Sequence, residues 1–134
     1  MIKVRNGVWE TNSSSVHSLI MCNDDDFQKL FRGEYMIAGY EYKKGKYSDK
    51  FVSTQEVYDY FKENFNNNKS HYEYEYGISS LDDEDLDIDM ILANEDIAYT
   101  LETYGGEEYE KFDGYFITNG GEKVWAFGYF GRDG

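Results

Sequence analysis

Proline is absent from the 134 residues, cysteine occurs once and histidine twice. A single cysteine cannot close an internal disulfide, which fits a reducing compartment and leaves Cys22 as a thiol, a ligand or filler. Without proline, no strand or helix is broken by a missing N–H donor. No stretch approaches the roughly 20 consecutive apolar residues that cross a bilayer, and the opening Met-Ile-Lys-Val-Arg runs into polar residues instead of an apolar signal core. The expectation is a soluble, cytosolic protein. Basic side chains are also few: 13 lysines and arginines stand against 27 acidic residues, for a formal charge of −14. Phosphate backbones repel such a chain and basic grooves attract it, so the charge argues against direct nucleic-acid binding.

What the chain does have is tyrosine, 14 of them, interleaved with the carboxylates. Carboxylates at spacings resembling phosphates, alternating with flat amphipathic rings, suit a protein that occupies a nucleic-acid channel in another protein. Acidity that only keeps a small domain soluble is the plain alternative. The length fits one domain over residues 1 to 134. Apolar spacing predicts an α+β fold: an antiparallel sheet with a C-terminal aromatic hairpin, flanked by two to four helices.

Residues 17 to 22, HSLIMC, read as a short buried strand ending at Asn23, which can cap a helix whose first turn holds Asp24, Asp25 and Asp26. Phe27, Leu30 and Phe31 follow at helical spacing before Gly33. Residues 34 to 52 suggest a hairpin with a basic loop at Lys44-Gly45-Lys46, the one locally positive stretch. Ser53-Thr54-Gln55-Glu56 has capping-box form and leads into Val57, Tyr60, Phe61 and Phe65 on one helical face. In HYEYEYG, Tyr72, Tyr74 and Tyr76 alternate with His71, Glu73 and Glu75, the period of a strand. Asp82, Asp83, Glu84, Asp85, Asp87 and Asp89 fall within eight residues. That run lacks the ligand spacing of a calcium loop and reads as an acidic loop giving way to helix, a solvated face or a partner-binding patch. Asn94 is placed as the cap of a second helix through Tyr104, ended by Gly105-Gly106. The run FDGYFITNGGEKVWAFGYFG is an aromatic hairpin turning at Asn119-Gly120-Gly121, and its last strand should be central to the sheet.

The opening stretch ETNSSSVHSLIMC, residues 10 to 22, concentrates the reactive types. Ser13, Ser14 or Ser15 with His17 as base and Glu10 to orient it has the residue types of a nucleophilic site, yet no nucleophile-elbow pattern or oxyanion glycines accompany it. A turn held by side-chain to backbone hydrogen bonds needs only the same residues. Zinc is the sharper candidate, because His17 and Cys22 are the one close nitrogen and sulfur pair in the chain. On a continuous strand the two face opposite sides, so a shared ion requires a bend, with Glu10, His71 or a distant carboxylate completing the set.

Residues 5 to 18, RNGVWETNSSSVHS, resemble the opening of a group of small phage and prophage proteins with an E-T-N-S-S-S-x-H-S signature, and VWAFGYFG, residues 124 to 131, looks like their tail. The match anchors both ends of the chain. Such small, acidic, tyrosine-rich phage proteins are similar to anti-CRISPR inhibitors of type II RNA-guided nucleases, which include a metal-binding member. The resemblance implies an inhibitor without turnover, in the cytoplasm of the infected bacterial host, that binds the nuclease's basic lobe and blocks DNA loading. These nucleases hold their heteroduplex in a positively charged channel that an acidic surface can contest. It also implies His17 and Cys22 as zinc ligands with Glu10 as a third. From charge and exposure alone, Asp82, Asp83, Glu84, Asp85, Asp87 and Asp89 with Tyr72, Tyr74 and Tyr76 are the expected partner contacts. Two other classes stand beside this one: a metal-dependent or Ser/His enzyme using residues 10 to 22, and a phage accessory subunit that buries its aromatics in a homomeric interface.

Overall fold

The structure is a computed structural model that describes residues 16 to 106 and 109 to 130. Its first strand, β1 (Val16–Asn23), alternates as a half-buried strand should: Leu19 and Met21 are exposed while Ile20 and Cys22 face a core. Asn23 closes the strand and starts α1 (Asp24–Phe31), its side-chain oxygen accepting from the Asp26 N–H at 2.7 Å. Such a cap is worth about 1 kcal/mol, and the three aspartates sit at the positive end of the helix. Gly33, with φ of 83°, ends it in the left-handed region. Phe27 and Leu30 are buried, but Phe31, expected on the same face, is 70% exposed.

The expected hairpin forms with shorter strands, β2 (Tyr35–Ala38) against β3 (Phe51–Ser53), and a longer connection through a tight turn at Tyr42–Gly45. Ser53 accepts from the Glu56 N–H and opens α2 (Thr54–Asn67), which buries Val57, Phe61 and Phe65. The next segment corrects the strand reading of HYEYEYG: it is α3 (Lys69–Tyr76), ended by left-handed Gly77. Tyr72 and Tyr76 stack at i,i+4 over the core while Tyr74 is 87% exposed, an arrangement period two cannot produce.

A second correction follows. Asp87, not Asn94, caps α4 (Ile88–Asn94), and the chain does not remain helical to Tyr104. Asp96, with φ of 57°, takes the left-handed position usually given to glycine. The Asp96 N–H donates to the Ala93 carbonyl and the Ile97 N–H to that of Leu92, and Ile97 and Leu92 are buried in one cluster. This Schellman ending turns the chain into β4 (Ala98–Tyr99), beyond which Thr100 and Thr103 exchange hydrogen bonds in a turn. The last hairpin, β5 (Glu110–Ile117) and β6 (Lys123–Phe130), turns as expected, with Gly121 at φ of 87°.

The strands form two antiparallel three-stranded sheets where one sheet was expected, ordered β1-β6-β5 and β3-β2-β4. As anticipated, β6 is central in its sheet. Strand β2 divides the interior. Met36 and Ala38 join the larger core with Val57, Phe61, Tyr72 and Leu92, beneath α2 to α4. Ile37 points the other way, into a second core with Phe27, Leu30, Tyr104 and Phe127 between the two sheets. There Trp125 stacks on Phe27 with ring centroids 3.9 Å apart and donates to Asp24 at 2.8 Å, pinning the start of α1 to the sheet. A ring pair of this kind adds about 0.5 to 1.5 kcal/mol beyond its buried area. The Trp125 bond also lowers the Asp24 carboxyl below its ordinary pKa.

Candidate functional site

The acidic run lies on a pinned segment. Ile78, Leu81, Leu86 and Ile88 pack against the larger core, and between them Asp82, Asp83, Glu84 and Asp85 are exposed. The backbone turns through local bonds, the Asp82 N–H donating to Ser80 and the Asp85 N–H to Asp83. Asp87 is committed to capping α4, and Asp89 accepts from the Tyr58 hydroxyl at 3.0 Å. Burial, with the Asp89 charge beside it, pushes that phenol up to about 12. Among the described residues no lysine or arginine pairs with a carboxylate of residues 82 to 89.

The tyrosine strip divides. Tyr74 is open to solvent, Tyr76 is half-buried with its hydroxyl on Glu95 at 2.7 Å, and Tyr72 is 1% exposed. Tyr72 is therefore a core residue and not a partner contact. Its hydroxyl donates to Asn64, and burial raises it to about 12. His71 bonds the other Glu95 oxygen at 2.8 Å.

Of the opening stretch, Glu10 and the three serines lie outside the described residues, as does the side chain of His17. The register between β1 and β6 slips by one between Val16 and Ser18, and from Ser18 to Asn23 the pairing runs without interruption. Cys22 itself packs against the second core. Burial, then the charges of Asp26 and Asp24, push its thiol up to about 12, surroundings that favour the neutral thiol over the thiolate a zinc ion needs. Among the described residues no three His, Cys, Asp or Glu side chains are grouped to hold an ion.

A second acidic feature went unnoticed in the sequence. A cleft of about 390 Å³ opens where the end of α4, the turn after β4 and strand β6 meet. Asp49 and Asp96 both line it, and both have left-handed backbones, φ 63° and 57°. They are fixed on either side of the chain leaving β2: the Asp49 N–H donates to the Ala38 carbonyl, while the Asp96 carbonyl accepts from Glu41. Gly39 is required between them, since a Cβ there would lie 2.3 Å from the Asp96 carbonyl oxygen. Tyr99 donates to the Asp96 carboxylate in a short bond, and Tyr104 is joined to Ser18. Burial raises Tyr99, Tyr104 and Tyr129. Asp96 adds to the shift at Tyr99, Asp49 at Tyr104, and both at Tyr129. Two carboxylates and three phenols thus converge. The signal available in sequence was only indirect: isolated aspartates at helix and strand ends, and the Gly105-Gly106 pair.

No family model, curated protein or solved structure matches this chain. Among the described residues no helix is long and apolar enough to cross a membrane.

Proposed function

We propose that this chain is a phage-derived inhibitor that binds a type II RNA-guided nuclease through an acidic surface and blocks DNA loading by occupancy. The observation that carries the reading is the pinned acidic segment: four consecutive exposed carboxylates, unpaired with cations among the described residues, on a loop whose apolar side chains are anchored in the larger core. Carboxylates held in place lose less conformational freedom on binding than a floppy tail, and they face a basic groove with the sign of the phosphates they displace. Tyr74, exposed on α3, supplies ring surface. Tyr72 has no part in the contact.

An ion on His17, Cys22 and Glu10 belongs to this reading as a structural support only.

Competition binding tests it. A purified guide-loaded nuclease is mixed with labelled target DNA and increasing protein at low and at moderate salt. DNA release that weakens as salt rises supports the proposal. A quadruple variant with Asp82, Asp83, Glu84 and Asp85 changed to lysine should lose at least about tenfold in potency, chiefly through slower association. DNA retention at every concentration, or equal potency of the lysine variant, would sink it.

A further inference from the structure

The cleft beside Asp96 combines three properties. It holds two carboxylates, and no lysine, arginine or histidine lines it. Tyr99, Tyr104 and Tyr129 supply flat aromatic walls, and Tyr40, 62% exposed, stands at the rim. Gly45 lies under the Tyr40 ring so closely that a Cβ would come within 2.7 Å of it. Asp96 is partly buried and bonded to Tyr99, Asp49 is exposed at the cleft mouth, and among the described residues neither has an ion-pair partner. A cation from outside is the chemistry that completes such a place. Flat walls and two separate acceptors suit a planar, weakly hydrated guanidinium better than a compact, strongly hydrated ammonium.

We propose that this cleft takes the guanidinium of an arginine side chain presented by a protein partner, with Asp49 and Asp96 as the anionic groups and the tyrosine rings as walls.

Two features favour a side chain on a polypeptide over a free cation. The cleft continues through Asn94, Thr103 and Gly106 into a second groove of about 570 Å³ that reaches Met90 and Glu102, room for the chain on which the arginine sits. Helix α4 also carries the acidic run at one end and the cleft at the other, seven residues or about 10 Å apart. One basic partner surface spans both. The proposal rests on the inhibitor reading only for the identity of that partner.

The test is a titration of the full chain with N-acetyl-arginine amide, followed by NMR on the tyrosine ring signals. N-acetyl-citrulline amide serves as the neutral isostere, and guanidinium chloride and a capped Gly-Gly-Arg-Gly-Gly peptide as further arms. Saturable shifts at Tyr99, Tyr104 and Tyr129 are expected with blocked arginine, at least about tenfold weaker with citrulline, and tightest with the peptide. The Asp49→Asn/Asp96→Asn variant keeps the left-handed backbones that asparagine tolerates and should lose at least about tenfold in binding. The single, exposed Asp49→Asn change repeats the measurement if the pair does not fold. Equal midpoints for arginine and citrulline, no saturation by about 50 mM, or full binding by the variants overturns the site. Bare guanidinium that binds as tightly as the peptide overturns the polypeptide ligand. No nuclease enters this assay, so a nuclease that keeps its DNA refutes the inhibitor without touching the cleft, and the reverse also holds.

Discussion

Cys22 shows how one side chain is set by its neighbours. Its thiol is half-buried against the second core with Asp24 and Asp26 nearby, and all three effects favour the neutral form. At pH 8 the native thiol should react with iodoacetamide about 1,000-fold more slowly than the unfolded chain, since only the thiolate attacks and its fraction falls as the pKa rises. Thiol labelling with and without a chelator separates packing from metal ligation. If packing alone protects Cys22, chelation changes nothing, whereas a sulfur that zinc had been covering reacts faster with the chelator than without it. The residue types in residues 10 to 22 were legible from the sequence, but whether a thiol is activated depends on groups the fold brings to it. The second core and Asp26 do that here, and both push the thiol toward its neutral form.

At the level of elements, α3 gives the sharpest discrimination. In a strand Tyr72, Tyr74 and Tyr76 would share one face, whereas in the helix Tyr72 is buried and Tyr74 projects into solvent. Tyr72→Ala should cost about 3 to 5 kcal/mol of stability and Tyr74→Ala less than about 0.5, measured by urea unfolding. Equal costs would contradict the helix. The elements that were legible carried local punctuation of the expected kind. Asn23 and Ser53 accept the bonds their caps predict, and Gly33 and Gly121 take positive φ where the chain must turn. The two misread elements carried such marks as well, Gly77 after α3 and Asp87 before α4, but stronger patterns overrode them. Tyrosine and glutamate alternate without regard to the helix they occupy in α3, and α4 stops at Asp96 where a glycine would have announced the end. The cleft was hidden because its carboxylates come from turns 47 residues apart that meet only through the hydrogen bonds flanking Gly39.

For the whole molecule, the buried tyrosines make stability depend on alkaline pH. Tyr58, Tyr72 and Tyr104 are pushed up to about 12, and Tyr76, Tyr99 and Tyr129 are also raised, first by burial in each case. Below about pH 10 these phenols are protonated in both the folded and unfolded chain and exert no pH effect. Above it the unfolded chain loses protons first, so it is favoured, and stability falls until the folded groups ionise as well. Cys22 opens the same window earlier, near 8.5. The thermal midpoint should hold between pH 7 and 8 and drop steeply beyond about pH 10, with much of the phenolate absorbance near 295 nm appearing only as far-UV ellipticity is lost. A midpoint unchanged through pH 11 would contradict the burial of these rings. The position of β2 decides how such a loss spreads. Met36 and Ala38 serve one core and Ile37 the other, so a single four-residue strand is the common wall of both. Neither compartment can melt alone without wetting that wall, and damage to the helical side is therefore transmitted to the β-hairpin side as loss of cooperativity in one shared transition.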